Sequence, residues 1–177
     1  STLGYKDVKD MSVIWKFELV QEPDTFLLAW TTTPWSTLST MGLSVGPDYT
    51  YLKVKVGDEI LVFVKDRLEF VMKGVEEYEI LGELKGSELV GKSYKPLTDF
   101  YGELPEVSEN DGAYKVYDAD YVEVSDGTGI VTINGSYGEI DMQQANKKNL
   151  PIVMDVNMDG NFNELAKDYS GMFVKDM

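Results

Sequence analysis

The sequence predicts a mainly β, α+β domain with a β-barrel-like core and a few peripheral helices. Along most of the chain apolar side chains alternate with polar ones, which is the period of a half-buried strand. Segments with helical spacing are few and short. Many short strands combined with few helices favour a barrel-like core.

The strongest local prediction is a hairpin over residues 49–64. Two alternating segments flank a turn at Gly57-Asp58 there, so consecutive antiparallel strands are expected. Residues 26–30 are continuously apolar and predict a buried strand. Strands are therefore predicted at residues 13–19, 25–30, 49–64 as a hairpin, 78–84, 113–117 and 128–134.

Two helices are predicted. Asp66 can cap a short one, because the apolar residues in 68–75 recur at i, i+3, i+4 and i+7. Ser136 and Glu139 have capping-box spacing, which predicts a second helix from about Tyr137 to Lys148.

The remaining segments predict loops and turns within one compact domain. Residues 102–112 contain Pro105 and three glutamates and are the most loop-like part of the chain. Residues 155–160 match the first half of a calcium-binding loop, but the position of the bidentate glutamate is Ala166, so we predict a turn and no metal site. A chain of 177 residues can bury roughly two thirds of its unfolded surface.

Composition restricts the chemistry that is possible. Cysteine and histidine are absent, which excludes disulfides, thiolate metal sites, cysteine nucleophiles and the usual general base. Any catalysis must use carboxylates, hydroxyls, backbone groups and water. No apolar run is long enough for a membrane span, and no signal peptide is recognisable, so we expect a cytoplasmic protein without membrane contact.

The formal charge of −15, with Arg67 as the only arginine, argues against a general affinity for nucleic acid. A domain that receives only the 3′ end of a tRNA would need stacking and hydroxyl recognition more than a basic groove. An acidic surface that simply keeps the domain soluble is equally compatible with this charge.

The run Trp30-Thr31-Thr32-Thr33-Pro34-Trp35 is the most informative segment. Three consecutive hydroxyls follow a predicted buried strand, and Pro34 locks its own φ and disfavours a helical Thr33. The hydroxyls could form the polar wall of a ligand pocket. They could equally cap backbone groups at a strand end.

This run, followed by Leu43-Ser44-Val45-Gly46-Pro47-Asp48-Tyr49, resembles the threonine-rich peptide of the editing domain inserted into isoleucyl-tRNA synthetases. Valyl and leucyl enzymes carry an arginine and an acidic residue there, whereas Thr33 and Trp35 match the isoleucyl pattern. The sequence Asp126-Gly127-Thr128-Gly129-Ile130-Val131, followed by Gly138-Glu139-Ile140-Asp141, resembles the second signature of that domain. Weaker likeness extends to residues 5–10 and 168–176.

The resemblance implies a closed, mostly β editing domain over residues 1–177, inserted in a larger class I synthetase. Its implied reaction is hydrolysis of mischarged valyl-tRNA(Ile) by water, and its implied partners are the 3′ end of tRNA(Ile) and the rest of the parent synthetase. We expect the isolated domain to be monomeric and to need no cofactor. ATP and Mg²⁺ are expected at the parent's synthetic site, because this chain lacks the nucleotide motifs of class I synthetases.

The resemblance also implies roles for particular residues. Asp141 matches the acidic residue that binds the α-ammonium of the substrate, although an aspartate in the first turn of a helix can be purely structural. Trp35 matches the aromatic wall of the amino-acid pocket, although it could equally belong to the core. The hydroxyls around the ribose and the attacking water match Thr31, Thr32 and Thr33.

Two substrate-binding positions depart from the family pattern. Thr132 stands where the family usually has histidine, and Thr40 stands where it usually has asparagine. Residues 134–137 also differ from the usual Ala-Pro-Ala-Phe. Two interpretations follow: a working hydrolase, or a degenerate editing site retained as a structural or tRNA-docking module.

Overall fold

The computed structural model describes residues 12–135 and 139–176. The likeness at residues 5–10, the capping residue Ser136 and the signature residue Gly138 lie outside these ranges. The described strands are β1 Val13–Glu18, β2 Thr25–Thr31, β3 Gly42–Val45, β4 Thr50–Val56, β5 Glu59–Val64, β6 Glu79–Lys85, β7 Lys115–Asp118 and β8 Ile130–Ile133. The helices are α1 Leu68–Val71, α2 Pro105–Ser108 and α3 Glu139–Lys147, with 3-10 helices at Pro34–Ser39, Lys65–Arg67, Gly86–Glu88, Glu164–Tyr169 and Val174–Asp176.

The strands form two sheets. The larger has the order β1-β2-β5-β4-β6 and the smaller has the order β7-β3-β8. The predicted hairpin is confirmed as β4 and β5, which pair from Tyr51↔Val64 to Val56↔Glu59. Each of the other predicted strands is also present, with bounds shifted by up to two residues. β3 is an additional strand that the sequence pattern does not predict, and it is the central strand of the smaller sheet.

The prediction of a closed barrel is wrong: neither sheet of the described chain closes on itself. The smaller sheet approaches β2 and β5, but a single backbone bond, from Val64 N to Thr128 O (2.9 Å), replaces a ladder. Gly127 and Gly129 take positive φ values of 64° and 78°, which turn the chain out of the extended conformation before β8 begins. At the opposite edges the sheets are joined through isolated bridges, Leu19↔Tyr94 and Ser93↔Lys115.

The structure is layered. Apolar side chains of β2, β4 and β5 alternate between two faces. One face, with Leu28 and Phe63, is covered by the segment around α1. The other, with Leu27 and Val62, packs against the smaller sheet. Beyond the smaller sheet a third cluster joins its outer face to α2, α3 and the C-terminal segment.

Two predictions about helices and loops need correction. Asp66 is not an N-cap, because it lies inside the 3-10 helix Lys65–Arg67 and makes no capping hydrogen bond. The helix that follows ends after Leu68–Val71 rather than continuing to residue 75. Residues 102–112 are not wholly irregular: they contain α2, whose Val107 is buried in the third cluster. The predicted late turn is confirmed, with Gly160 at a φ of 86°.

No helix of residues 12–135 and 139–176 is both long enough and apolar enough to cross a membrane.

Candidate functional site

The threonine run lies where β2 ends, as predicted. Thr31 is the last residue of the strand and is buried, whereas Thr32 and Thr33 are exposed. Thr31 Oγ1 accepts a hydrogen bond from Thr33 N (3.0 Å) and lies 3.3 Å from Thr33 Oγ1. Thr33 Oγ1 is in turn 3.0 Å from Ser36 Oγ, which donates to Thr33 O at 2.8 Å. The hydroxyls of Thr31, Thr33 and Ser36 therefore form a connected local chain, beside which the exposed Thr32 faces solvent.

The 3-10 helix Pro34–Ser39 follows the run. Thr33 at its N-cap has φ −126° and ψ 72°, outside the helical region, as expected before Pro34. Trp35 is half-buried: it packs against the third cluster, and Lys175 Nζ lies 5.8 Å from its ring centroid. Its ring thus contributes to the core and retains an exposed part. Thr40 is 3% exposed, and its Oγ1 has no hydrogen-bond partner in the described structure.

The loop of the second signature, residues 127–129, is held by hydrogen bonds to three other segments. Thr128 Oγ1 donates to Leu28 O (2.7 Å), and Arg67 Nε donates to Gly127 O (2.9 Å). Tyr51 OH donates to Gly129 O (2.5 Å) and accepts from Gly46 N (3.0 Å). Burial raises the pKa of Tyr51, so its hydroxyl remains a donor. These bonds fix the loop that leads into β8, and they use the chain's only arginine for this purpose.

Thr132 lies in β8, opposite Leu43 of β3, and is half-buried. Side chains alternate along a strand, so Thr132 shares a face with Ile130 of the core between the sheets. Its neighbour Ile133 is on the opposite face, in the third cluster. Thr31 likewise continues the inward-facing row of Leu27 and Ala29 in β2.

Asp141 is the third residue of α3 and is half-buried. Ala145, one turn later, packs in the same cluster as Ile133 of β8. Burial raises the pKa of Asp141 from 3.8 to about 6. No lysine or arginine of the described ranges forms an ion pair with it. Within those ranges the fold thus provides a partly desolvated carboxyl group that lacks a counter-ion.

Two further residues near the site, Tyr121 and Asn134, are not predicted from the sequence. Tyr121 OH lies 2.6 Å from Ser44 Oγ of β3; burial raises its pKa, and the charge of Asp141 raises it further. Asn134, directly after β8, donates to Ser36 O and to Ser39 Oγ (2.5 Å). Tyr121 carries no sequence signal. The only sequence signal at Asn134 is its departure from the family pattern.

The structure connects some of the predicted residues and separates others. Hydrogen bonds join Thr31 and Thr33, through Ser36, to Asn134 at the end of the strand that carries Thr132. No hydrogen bond joins Asp141 to the threonine run in the described part of the chain. A cleft of about 200 Å³ lies beside this region and includes Trp30, Tyr121, Gly127 and Val131 in its wall. A second cleft of about 440 Å³ lies beside Lys147 and Lys148, and neither cleft is lined by a predicted catalytic or substrate-binding residue.

No group of three or more acidic side chains within residues 12–135 and 139–176 is arranged to hold a metal ion. Asp155, at the start of the calcium-loop lookalike, is buried, and its Oδ2 accepts a hydrogen bond from Tyr101 OH at 2.7 Å. This carboxylate has a structural role in the third cluster.

Comparison with known proteins identifies relatives along almost the whole chain. The isoleucine–tRNA ligase of Clostridium novyi is 41% identical over 172 residues, and that of Chlamydia trachomatis serovar L2 is 40% identical over 175 residues. Each match covers 97% of this chain but 16% of the relative. No family model matches the chain.

The fold is also that of solved editing domains. The crystallised P. knowlesi cytosolic leucyl-tRNA synthetase editing domain superimposes with a TM-score of 0.57 at 16% identity, covering 78% of this chain and 63% of that one. The crystal structure of GlLeuRS-CP1 gives a TM-score of 0.61 at 18% identity, covering 77% and 58%. The chain is therefore homologous to a segment of isoleucine–tRNA ligases, about a sixth of their length, and it has the fold of the editing domains of leucyl-tRNA synthetases.

Proposed function

We propose that residues 1–177 form the editing domain of an isoleucine–tRNA ligase and hydrolyse valyl-tRNA(Ile). The observation that carries this proposal is the half-buried Asp141 carboxyl, whose pKa is raised to about 6 by burial and which has no counter-ion among the described residues. Burial of an ionised carboxyl is unfavourable unless a cation compensates it. The α-ammonium of an aminoacyl ester is such a cation, which supports its binding at this position.

In the proposed reaction the oxygen of a water molecule bonds to the ester carbonyl carbon. The bond between that carbon and the ribose oxygen breaks, the ribose oxygen takes up a proton, and valine and deacylated tRNA are released. No protein nucleophile is needed, because the ester is already activated and correct placement of water lowers the barrier. Thr31, Thr32 and Thr33 would orient the ribose and the water.

The resemblance assigns Trp35, Thr40 and Thr132 to the amino-acid pocket, although in the fold Trp35 packs against the third cluster and Thr132 shares a face with Ile130 of the core between the sheets. A difference of one methylene is worth about 1–3 kcal/mol of binding, too little for faithful charging without a second selection step. Isoleucine–tRNA ligases are themselves the standard example of this limit. A pocket that admits valine and excludes isoleucine supplies that step.

The partners follow from the proposal. The 3′ end of tRNA(Ile) would enter the site, and the rest of a parent synthetase would supply most of the tRNA affinity, because this chain carries a charge of −15. ATP and Mg²⁺ would act only at the parent's synthetic site. We propose that the domain acts in the cytoplasm, where tRNA is charged, and that it is monomeric in isolation.

The test is deacylation of valyl-tRNA(Ile) and isoleucyl-tRNA(Ile) by the chain and by its Asp141→Asn variant. Loss of a charge-assisted contact worth roughly 1.5–3 kcal/mol should slow valine release about ten- to a hundredfold. Asp168→Asn is the matched control, because it removes the same charge from an exposed position outside α3. Equal rates for both variants and the unmodified chain would show that Asp141 does not bind the substrate.

A degenerate site is the second candidate. It is favoured by the buried Thr40 Oγ1 without a partner in the described structure and by the hydroxyls of Thr31, Thr33 and Ser36, which bond to one another. In that case the domain would serve as a structural or tRNA-docking module. Binding of the 3′ end without measurable deacylation of valyl-tRNA(Ile) would distinguish this function from editing.

A further inference from the structure

The side chain of Asn134 links two segments that are 98 residues apart in sequence. It lies directly after β8 and is 2% exposed. Its Nδ2 donates to Ser36 O and to Ser39 Oγ, and both acceptors belong to the 3-10 helix Pro34–Ser39. An amide nitrogen has two donors, so the donor capacity of this side chain is fully used on that helix.

The link continues from the helix to the threonine run. Ser36 Oγ donates to Thr33 O, and Thr33 Oγ1 lies within hydrogen-bond distance of both Ser36 Oγ and Thr31 Oγ1. No side chain caps the N-terminus of the 3-10 helix. Because hydrogen bonds join Ser36 to Thr33 and Thr33 to Thr31, a displacement of the helix would shift the hydroxyls of Thr33 and Thr31 with it.

The register of the smaller sheet places Asn134 next to the 3-10 helix Pro34–Ser39, to which its side chain bonds. Met41 N donates to Ile133 O (3.0 Å), which extends the β3–β8 ladder by one bond toward the 3-10 helix. Asn134 is the next residue, and a Cβ added at Gly135 would approach Ile152 Cγ1 to 2.7 Å. Ile152 and Ala145 therefore pack closely against Gly135, directly beside Asn134.

We propose that Asn134 is a positioning residue of the editing site: it holds the 3-10 helix and, through Ser36, sets the positions of the Thr33 and Thr31 hydroxyls. This inference rests on the proposed editing function. It assigns to Asn134 a role in orienting the water and ribose, without contact between Asn134 and the substrate.

The kinetic test is a double-mutant cycle in the 177-residue chain, with valyl-tRNA(Ile) as substrate. Asn134→Ala removes both donors, and Thr33→Val removes the hydroxyl that connects Ser36 to Thr31. We expect Asn134→Ala to lower kcat about ten- to a hundredfold while KM changes less than about threefold. Because both residues act through one link, the double variant should be about as slow as the slower single variant.

Multiplicative effects of the two substitutions would overturn the inference, since independent residues add in free energy. Asn163→Ala is the matched control: its Nδ2 also donates to a backbone carbonyl, that of Met154, but in the C-terminal segment. It should leave kcat unchanged. If Asn134→Ala does not fold, Asn134→Ser keeps one donor, and a smaller loss in the same direction is expected.

A second measurement separates this inference from the proposed function. The amides of Ser36 and Thr40 donate to Thr33 O and Thr37 O at the two ends of the 3-10 helix. In Asn134→Ala they should exchange with solvent at least about tenfold faster than in the unmodified chain, while amides of the β4–β5 hairpin are unchanged. If the chain deacylates nothing, the editing proposal fails and exchange still tests the link. Unchanged exchange at Ser36 and Thr40 would refute the positioning role even in an active enzyme.

Discussion

The carboxyl group of Asp141 can be tested without any substrate, through its effect on folding. Its pKa in the folded chain is about 6, above the unfolded value of 3.8. The folded state therefore binds the proton more tightly, and the stability that this provides is complete below about pH 4. It is lost as the pH rises through about 6.

We predict that Asp141→Asn does not lower the melting temperature at pH 7 and raises it slightly. The amide stays neutral, so the unfavourable desolvation of an ionised carboxylate is removed. The difference between variant and unmodified chain should diminish as the pH falls from about 7 to about 4, because the carboxyl of the unmodified chain becomes protonated. Differential scanning calorimetry over this range measures it.

A lower melting temperature of Asp141→Asn at pH 7 would instead identify Asp141 as a structural residue. A carboxylate in the first turn of a helix stabilises it through the helix dipole, so its neutralisation would then lower the melting temperature at pH 7. Asp168→Asn again serves as the reference, because Asp168 is exposed and its substitution removes only one surface charge.

Thr132 and Thr40 can be tested together as substrate-binding positions. We predict that Thr132→His combined with Thr40→Asn releases valine faster and spares isoleucyl-tRNA(Ile) better. The added bulk narrows a pocket in which such a group is worth about 1–3 kcal/mol, so selectivity should change by at most about two orders of magnitude. Deacylation of both substrates in parallel measures this, and thermal melts check that the buried position 40 accepts the larger side chain.

The same deacylation assay tests the degenerate-site alternative. If the unmodified chain already releases valine rapidly and spares isoleucine, Thr132 is an adequate substitute and the alternative is wrong. Slow release by the unmodified chain together with a gain in the double variant would support it.

At the scale of elements, the loop before β8 determines how the two signature segments meet. Gly129 has a φ of 78°, and a Cβ built on it would lie 2.5 Å from Val64 Cβ in β5. The positive φ and the close approach both require glycine here. This loop therefore fixes the start of β8, which carries Thr132 and leads directly into Asn134.

We predict that Gly129→Ala lowers the free energy of unfolding by roughly 2–4 kcal/mol, because backbone strain at positive φ and a steric overlap act together. Gly57→Ala is the matched control: Gly57 has a φ of 61° in the β4–β5 turn, with no described atom within 4 Å of the added Cβ. Only the strain, about 1–2 kcal/mol, should appear there. Urea unfolding measures both variants, and equal losses would mean that β5 yields to the added methyl group.

Which strands could be predicted depended on how each is buried. β1 and β4 have a side that faces solvent or lies at an edge, so their polar residues alternate with apolar ones. All four residues of β3 are buried, and its sequence Gly-Leu-Ser-Val is only four residues long and begins with glycine. A segment this short gives too few positions for a strand pattern to stand out, which explains why the central strand of the smaller sheet could not be predicted.

The charge of the whole molecule shapes its stability. Asp and Glu number 31 against 16 Lys and Arg, and the described ion pairs engage only some of these acids. Glu22 is the most engaged of them, since Lys53 and Lys92 both bind it at 2.8–2.9 Å and lower its pKa. Excess negative charge elsewhere repels itself in the folded state.

We predict that added salt stabilises the chain. Raising the ionic strength from about 0.01 M to about 0.15 M shortens the Debye length from about 30 Å to about 8 Å, which screens the repulsion more than the short pairs. We expect the melting temperature to rise by a few degrees. In a domain of this size, such a rise corresponds to about 1 kcal/mol of added stability. Sodium chloride titrations at pH 7 test this, and a fall would show that attractive pairs dominate.

The sequence by itself determined the mainly β class, most strand positions, the family and the candidate residues. These depend on local information: alternation within a strand, the threonine run after β2, and two signature segments that can be read in order. Only the tertiary structure decided that the sheets stay open, that Asp66 caps nothing, and that Asn134 reaches Ser36. The open sheets and the bond from Asn134 to Ser36 depend on contacts between segments far apart in the chain, whereas Asp66 caps nothing because the local backbone forms a 3-10 helix. Local periodicity does not specify such contacts, because they arise from how two sheets pack and where a loop turns.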